Sequence, residues 1–509
     1  MNAVRRHWFR APTRTDTSAP CVKSVVDEAD VFPVHKLDSM AEYQKFLAKV
    51  MLFNDALDAN MLNASLSRLL EIGDWRKLGG RIKKDSNGRL QIHVPRQFSD
   101  DQPAVAYTHE CLATMSISDH PIARQFPTHT GGKSMQSVPS HGDLRTLQVR
   151  PDFPGSLDAL MAANLPPLSL HVHTFKDATI VGLAWPHLLM DGIARSALMK
   201  SWSLVMAGQE DKVPLVVGAR HDVLSDLPPG SNDQDEFFEK KGLLHGTKLA
   251  RFALRWGWEK LTGPAKSIRM IYLPKATYDA LVGEIKDQVF QIGEECGERQ
   301  FISEVDAVTA WIINQLASLE PERPLMVLSL ANCRYLLKRQ LSSDGAYLQN
   351  MVLINYIGLS SEEASGAVGP LALNCRRQLR EQMAEPRVLS FIKWLTKRVD
   401  EKFYGVPSIP LCGDEHSTFI CINSMLKAGL ITNTDFAPAV LHLGDAAETR
   451  QNPAGSMVNF FYDTPNEPTQ YVNIFNILGN DHSGGVWFFG HFSQQMWDRL
   501  EQTLEQLTK

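Results

Sequence analysis

The stretch His187-Leu188-Leu189-Met190-Asp191-Gly192 carries the residue types and spacing best suited to chemistry in this sequence. Histidine titrates near neutral pH, so a neutral imidazole can take a proton from an alcohol or amine and hand it on. Asp191, four residues along, would orient the loop through a charge partner rather than touch a substrate. Gly192 leaves room for close backbone approach at a helix start. The bare spacing says little, because a chain with 16 histidines meets H-x-x-x-D about once by chance. Indeed His173-Thr174-Phe175-Lys176-Asp177 matches it too. The plainer reading of either histidine is a packed structural residue. Context separates the two.

Leu168-Ser169-Leu170-His171-Val172-His173 alternates with period two, Lys176-Asp177 makes a turn, and Thr179 to Trp185 is a largely apolar, buried strand. His173 therefore belongs to a strand and is predicted to pack. His187 follows Pro186 in a short loop at a strand end, where a rigid scaffold usually presents catalytic side chains. After it, Ile193, Ala197, Leu198, Trp202, Val205 and Met206 share one helical face. The order around His187 is thus strand, turn, strand, loop, helix.

Further out, Leu62, Leu66, Leu69 and Leu70 predict a helix within 62–81 that stops at Gly79-Gly80. A turn at Asp85-Ser86-Asn87-Gly88 leads into a strand at Leu90 to Val94. Ser303-x-x-Asp306 before an apolar run is a capping box opening a helix at 303–319. Strands are predicted near 268–273 and 325–330, and helices near 368–383 and 494–507. The fold class is mixed α/β. The chain of 509 residues exceeds one ordinary core. We divide it into an N-terminal half at 1–210, a crossover linker at 211–250 rich in Asp, Gly, Pro and Ser, and a C-terminal half at 251–509.

A net charge of −5 and a pI near 6.4 argue against nucleic acid or an anionic membrane as partner. Arg5, Arg6, Arg10 and Arg14 cluster early, yet Met1 to Ser18 lacks the apolar centre of a signal peptide, so a ragged tail is expected. The seven cysteines (Cys21, Cys111, Cys296, Cys333, Cys375, Cys412, Cys421) contain no CxxC pair, which predicts no metal site and reduced thiols in a cytoplasmic protein. No run of apolar residues reaches the roughly 18 of a membrane span. G-x-S-x-G and the phosphate-binding G-x-x-x-x-G-K-[ST] are both absent, which disfavours a serine hydrolase and a nucleotide enzyme.

With its flanking elements, the His187, Asp191 and Gly192 motif resembles that of the BAHD-type acyltransferases, especially the fungal branch that includes trichothecene acetyltransferases. Val34-His35-Lys36-Leu37-Asp38 is similar to that family's early LS.LD element, and Leu66 to Ile82 to its L...L...GR helix. Ser303 to Trp311 resembles its S..D...A..W helix, and Asn332-Cys333-Arg334 its Asn/Asp-x-Arg strand end. The shared order spans about 31–505. The family's second motif, DFGWG, survives only as Asp435-Phe436-Ala437-Pro438-Ala439.

The resemblance implies two chloramphenicol-acetyltransferase-like domains around a central tunnel, with His187 as general base. Asp191 and Asp435 stand with it as the family's active-site residues, and Gly192 and Arg334 as structural ones. Both aspartates are expected to be scaffold charges, with Arg334, or less favourably Arg339, neutralising at least one. The implied reaction is acyl-CoA-dependent O- or N-acyl transfer in specialised metabolism. It takes an acetyl group to a hydroxyl of a small-molecule acceptor, with acetyl-CoA as co-substrate, no tightly bound cofactor, and a monomer acting without membrane or nucleic acid. Residues holding the donor are not assigned. Two alternatives stay open. A stand-alone condensation-type domain would use a carrier-bound thioester, although Pro186 stands where such domains carry another histidine. A non-catalytic binding protein of the same fold would explain the altered second motif.

Overall fold

The computed structural model describes residues 29–228, 230–335, 345–400, 410–444, 450–465 and 473–507. Within them the strands fall into two large sheets and two small ones. The first large sheet runs in the order Met457–Asp463, Phe46–Phe53, Thr179–Pro186, Ser169–Phe175, Ala106–Leu112. Its neighbours are antiparallel except the last pair, which is parallel. The strand Thr179–Pro186 is buried along its whole length, as a strand centred in a covered sheet must be. The second sheet runs Val352–Leu359, Leu325–Asn332, Thr418–Ser424, Asn473–Asn480, Val486–Ser493, Lys266–Leu273, Ser134–Ser137. Its two pairings around Thr418–Ser424 are parallel.

Each sheet borrows a strand from the other end of the chain. Met457–Asp463 pairs with Phe46–Phe53 at one edge of the first sheet. In exchange, Ser134–Ser137 pairs with Lys266–Leu273 at the edge of the second. The apolar interior follows suit: the core under the first sheet joins Val50, Trp185 and Trp202 to Phe436, Met457 and Phe460. A second core gathers Trp311, Ile313, Phe475 and Trp497 beneath the helices Glu304–Ala317, Val368–Gln382 and Gln494–Gln506.

Local expectations meet the structure closely in several places. The capping box at Ser303 and Asp306 is present in both directions, and the helix it opens covers Glu304–Ala317. The turn before Leu90–Val94 forms with the Asp85 carboxylate accepting from the Asn87 and Arg89 amides. One expectation needs correction. The helix Ala59–Leu69 stops well short of Gly79-Gly80 and gives way to a 3-10 turn at Gly73–Gly79. The helix is capped at Leu70 and Ile72 is already extended; Gly73, with a φ of +47°, then turns the chain into the 3-10 segment. The crossover stretch also holds more structure than its composition suggests, namely the helix Gln234–Lys240 and the start of Gly246–Thr262.

Candidate active site

The central buried strand delivers His187 directly. Pro186 closes the pairing with Phe46, and the chain turns into a 3-10 turn at His187–Leu189. The His187 amide donates to the Lys45 carbonyl at 2.8 Å, and Trp185 Nε1 donates to the Met190 carbonyl at 3.2 Å, tying the two ends of the loop. Asp191 then caps the helix Gly192–Met206, its Oδ1 accepting from the Ile193 and Ala194 amides at 3.1 and 3.0 Å. A Cβ at Gly192 would come within 2.5 Å of the Met425 methyl, so the glycine makes room for a side chain arriving from the second sheet.

Asp191 is sealed in, with 1% of its side chain exposed. Its charge is met by Arg334, which lays both terminal nitrogens on the carboxylate at 2.7 and 2.9 Å. The Met351 amide donates a further bond at 3.1 Å. Arg334 in turn donates to the Tyr347 and Gln349 carbonyls, and its own amide is held by the Asn332 side chain. A planar guanidinium suits this fork, and a buried carboxylate demands a partner of this kind. Of the two arginines considered from sequence, Arg334 takes Asp191, while Arg339 lies outside the described residues.

Asn350, beside Met351, completes the clamp. Its side-chain amide donates to the His187 carbonyl at 2.9 Å and to Asp38 Oδ1 at 2.8 Å, and its main-chain amide donates to the same Asp38 oxygen. Burial pushes the Asp38 carboxyl up to about 6, with Lys77 and Asn350 pulling back. Both ends of the His187 loop are thus gripped by consecutive residues of a distant segment. No motif or spacing around Tyr347-Leu348-Gln349-Asn350 signals this role.

The His187 ring rests against Tyr43, centroids 4.8 Å apart. Its Nδ1 is buried, beside the residue's own carbonyl. Burial lowers the imidazole's pKa, and the Arg195 cation acts in the same direction, while its own carbonyl and Asp191 pull back. The shift favours the neutral form of the ring. Arg195 itself is boxed by Trp185, Phe460 and Tyr462, 5.4 to 5.6 Å from each ring, and burial brings it down to about 10. Next to it Lys49 lies over Phe460, fully buried, its ammonium disfavoured by burial and by Arg195.

His187 lines a cavity of about 820 Å³, counted to its open mouth. The wall is mainly apolar, with Leu37, Met40, Leu353, Phe391 and Met425 prominent, and Asn423 among the few polar groups. A concave, mainly apolar wall with a few polar groups is the form of a small-molecule site.

No family model matches the chain. Known proteins do. Acetyltransferase pyiB of Pyricularia grisea is 28% identical over 493 residues, covering 95% of this chain and 95% of its own. O-acetyltransferase PaAT-2 of Phomopsis amygdali is 26% identical over 492 residues, covering 94% and 98%. Among solved structures, F. sporotrichioides TRI101 complexed with coenzyme A and T-2 superposes with a TM-score of 0.62 at 12% identity, over 93% of this chain and 97% of that one. The chain is similar to these fungal acyltransferases along nearly its whole length. Its fold is the two-domain, mixed α/β fold of chloramphenicol acetyltransferase relatives.

His173, expected only to pack, and Asp435 of the second motif both lie away from this cavity. His173 is buried in its strand, its pKa lowered to about 3 by burial and the nearby histidines, and Glu110 sits 3.2 Å from its Nε2. It does not line the cavity. Asp435 is exposed. Its carboxylate accepts from the Ala437 amide at 2.9 Å, Arg334 does not reach it, and it is not part of the cavity wall. The loop it opens is a built structure all the same. Phe436 stacks on Phe53 and leans on Trp202. Gly455, at φ +70°, packs so close that a Cβ would lie 2.3 Å from the Ala437 nitrogen. Asp55, wholly buried, anchors that glycine's amide and takes the Arg450 guanidinium in a two-point bond. Among the described residues no group of three or more His, Cys, Asp or Glu is placed to hold a metal, and no helix is long and apolar enough to cross a membrane.

Proposed function

We propose that this acyltransferase moves an acetyl group from acetyl-CoA to a hydroxyl of a small, largely apolar metabolite, with His187 as general base. The observation that carries the reading is the His187 ring, its neutral form favoured, at the wall of an apolar cavity, its loop clamped at both ends by Arg334, Asn350 and Met351. The acetyltransferase names of the relatives and the coenzyme A in the TRI101 complex support the donor class.

In this mechanism Nε2 takes the proton of the acceptor hydroxyl as its oxygen attacks the thioester carbonyl. The tetrahedral intermediate collapses by breaking the carbon–sulfur bond, and the imidazolium returns its proton to the departing thiolate. Protons and electrons balance within the pair of substrates. Asp191 and Gly192 act by shaping the loop, and Arg334 by neutralising Asp191. Asp435 holds a turn away from the cavity and takes no part in proton transfer.

The test is direct. Purified protein incubated with acetyl-CoA and a panel of hydroxylated terpenoids, polyketides and alkaloids should yield products heavier by one acetyl group, read by mass spectrometry. Thioester consumption without any acetylated product across a broad panel, or full turnover by His187→Ala, would overturn the reading.

A further inference from the structure

The helix Gly246–Thr262 is amphipathic in the wrong sense for a purely internal element. Of its 17 residues only Phe252 is buried. That side is fixed to the body: Phe252 packs on Phe419, ring centroids 5.1 Å apart, and Arg255 donates to the Glu415 and Ser417 carbonyls at 2.8 and 2.9 Å. The opposite side carries Leu254, Trp258 and Leu261, exposed to 76%, 68% and 83%. Their spacing of four and three puts them on one outward stripe. Isolated exposed apolar side chains are ordinary, but a contiguous stripe of large ones marks a contact surface.

Charge identifies the contact. Arg251 borders the stripe on one edge and Lys260 on the other, and Lys248 adds a third basic residue, while Arg255 and the single acid Glu259 are paired with each other on the body side. The whole chain, by contrast, carries −5. Arg251 is 69% exposed at its side chain even while paired with Glu415 at 3.0 Å. An exposed pair of that kind is weak and leaves the cation available to other anions. An apolar face with a tryptophan and basic margins is the pattern of a helix that lies in the headgroup layer of a bilayer. A second copy docking stripe to stripe would bring Arg251 and Lys260 against like charges, so charge favours an anionic lipid surface over self-association.

We infer that the helix Gly246–Thr262 lays this protein on anionic phospholipid membranes through Leu254, Trp258 and Leu261. The contact is peripheral and reversible, since one short helix buries too little apolar surface for permanent anchoring.

The experiment uses the full-length protein and flotation with two vesicle types, pure phosphatidylcholine and phosphatidylcholine containing phosphatidylserine. Wild type should float with the anionic vesicles and far less with the neutral ones. Binding should weaken as salt rises. The variant Leu254→Glu/Trp258→Glu/Leu261→Glu changes only exposed positions, so its melting curve and its turnover in solution should match wild type. Its partitioning should fall by about tenfold or more. Absence of wild-type flotation would overturn the inference, as would binding that survives in the variant. Concentration-dependent dimerisation abolished by the same substitutions would also overturn it, by naming a second copy as occupant. None of these readouts depends on catalysis, so they fail or succeed separately from the proposed reaction.

Discussion

Asp191→Asn separates a scaffold charge from a reacting one. In the wild type one carboxylate receives five donors: the Ile193, Ala194 and Met351 amides and two nitrogens of Arg334. Asparagine can keep its oxygen on the helix cap. Its amide group then faces Arg334 and the Met351 amide, setting donor against donor, and Arg334 loses its counter-charge. Breaking a buried pair in this way costs about 3 to 5 kcal/mol. The lower end applies, because Arg334 keeps its bonds to the Tyr347 and Gln349 carbonyls and its side chain is 17% exposed. Unfolding entropy scales to about 1.1 kcal/mol per degree for a chain of this length. A loss of about 3 kcal/mol therefore lowers a single cooperative melt by about 3 °C. Circular dichroism melts and guanidinium titration read this, and initial rates with acetyl-CoA are measured on the same preparation. Pairing the change with Arg334→Gln should cost less than the sum of the two single losses, because the orphaned cation is gone. An Asp191→Asn protein with wild-type stability and no turnover would refute the reasoning and place the carboxylate in the reaction.

His187→Ala should lower turnover by about 10² to 10⁴, with an unchanged melting curve as the control for folding. The acid limb of kcat/KM should fall below the ordinary histidine pKa, because burial lowers that of His187; a limb shifted upward in a pH–rate series would contradict the neutral-base assignment. His173→Gln should leave turnover nearly unchanged yet protect the fold against acid. His173 has a folded pKa of about 3, below its unfolded value, so the unfolded chain binds the extra proton and wild type loses stability as pH falls from about 6.5. Denaturant midpoints at pH 7 and pH 4.5 measure this, and an equal acid loss in both proteins would count against it. Asn350→Ala should lower kcat while leaving KM for donor and acceptor nearly unchanged, since the side chain holds the His187 carbonyl and does not line the cavity. A rise in KM alone would assign Asn350 to binding.

The surroundings of His187 were legible because they rest on local physics. The strand read over Leu168 to His173, the apolar strand from Thr179 and the helix after Gly192 each express a preference of a few neighbouring residues, and all three form, although Ser169–Phe175 is buried on both faces rather than alternately. The capping box at Ser303 and Asp306 is the same kind of signal. The early end of the helix Ala59–Leu69 was masked by the leucine periodicity within it. What stayed hidden depends on pairing across hundreds of residues. Asn350 lies 163 positions from the carbonyl it holds, and nothing in its neighbourhood distinguishes it from a polar loop residue. The exposure of Asp435 was equally hidden, since a short motif does not say which way its carboxylate faces.

The exchanged strands bear on how molecules get in and out. A jaw-like opening of the two sheets would have to peel Met457–Asp463 from Phe46–Phe53 and Ser134–Ser137 from Lys266–Leu273, breaking ladders in both bodies at once. Such a stitched frame resists wide opening more than two sheets joined by a linker alone would. Side chains of the cavity wall, such as Phe391 and Leu395, can swing individually and much faster. A frame of this kind favours a sieve over a clamp, with guests sorted by girth. Narrow, rigid acceptors should enter more readily than bulky flexible ones of equal polarity.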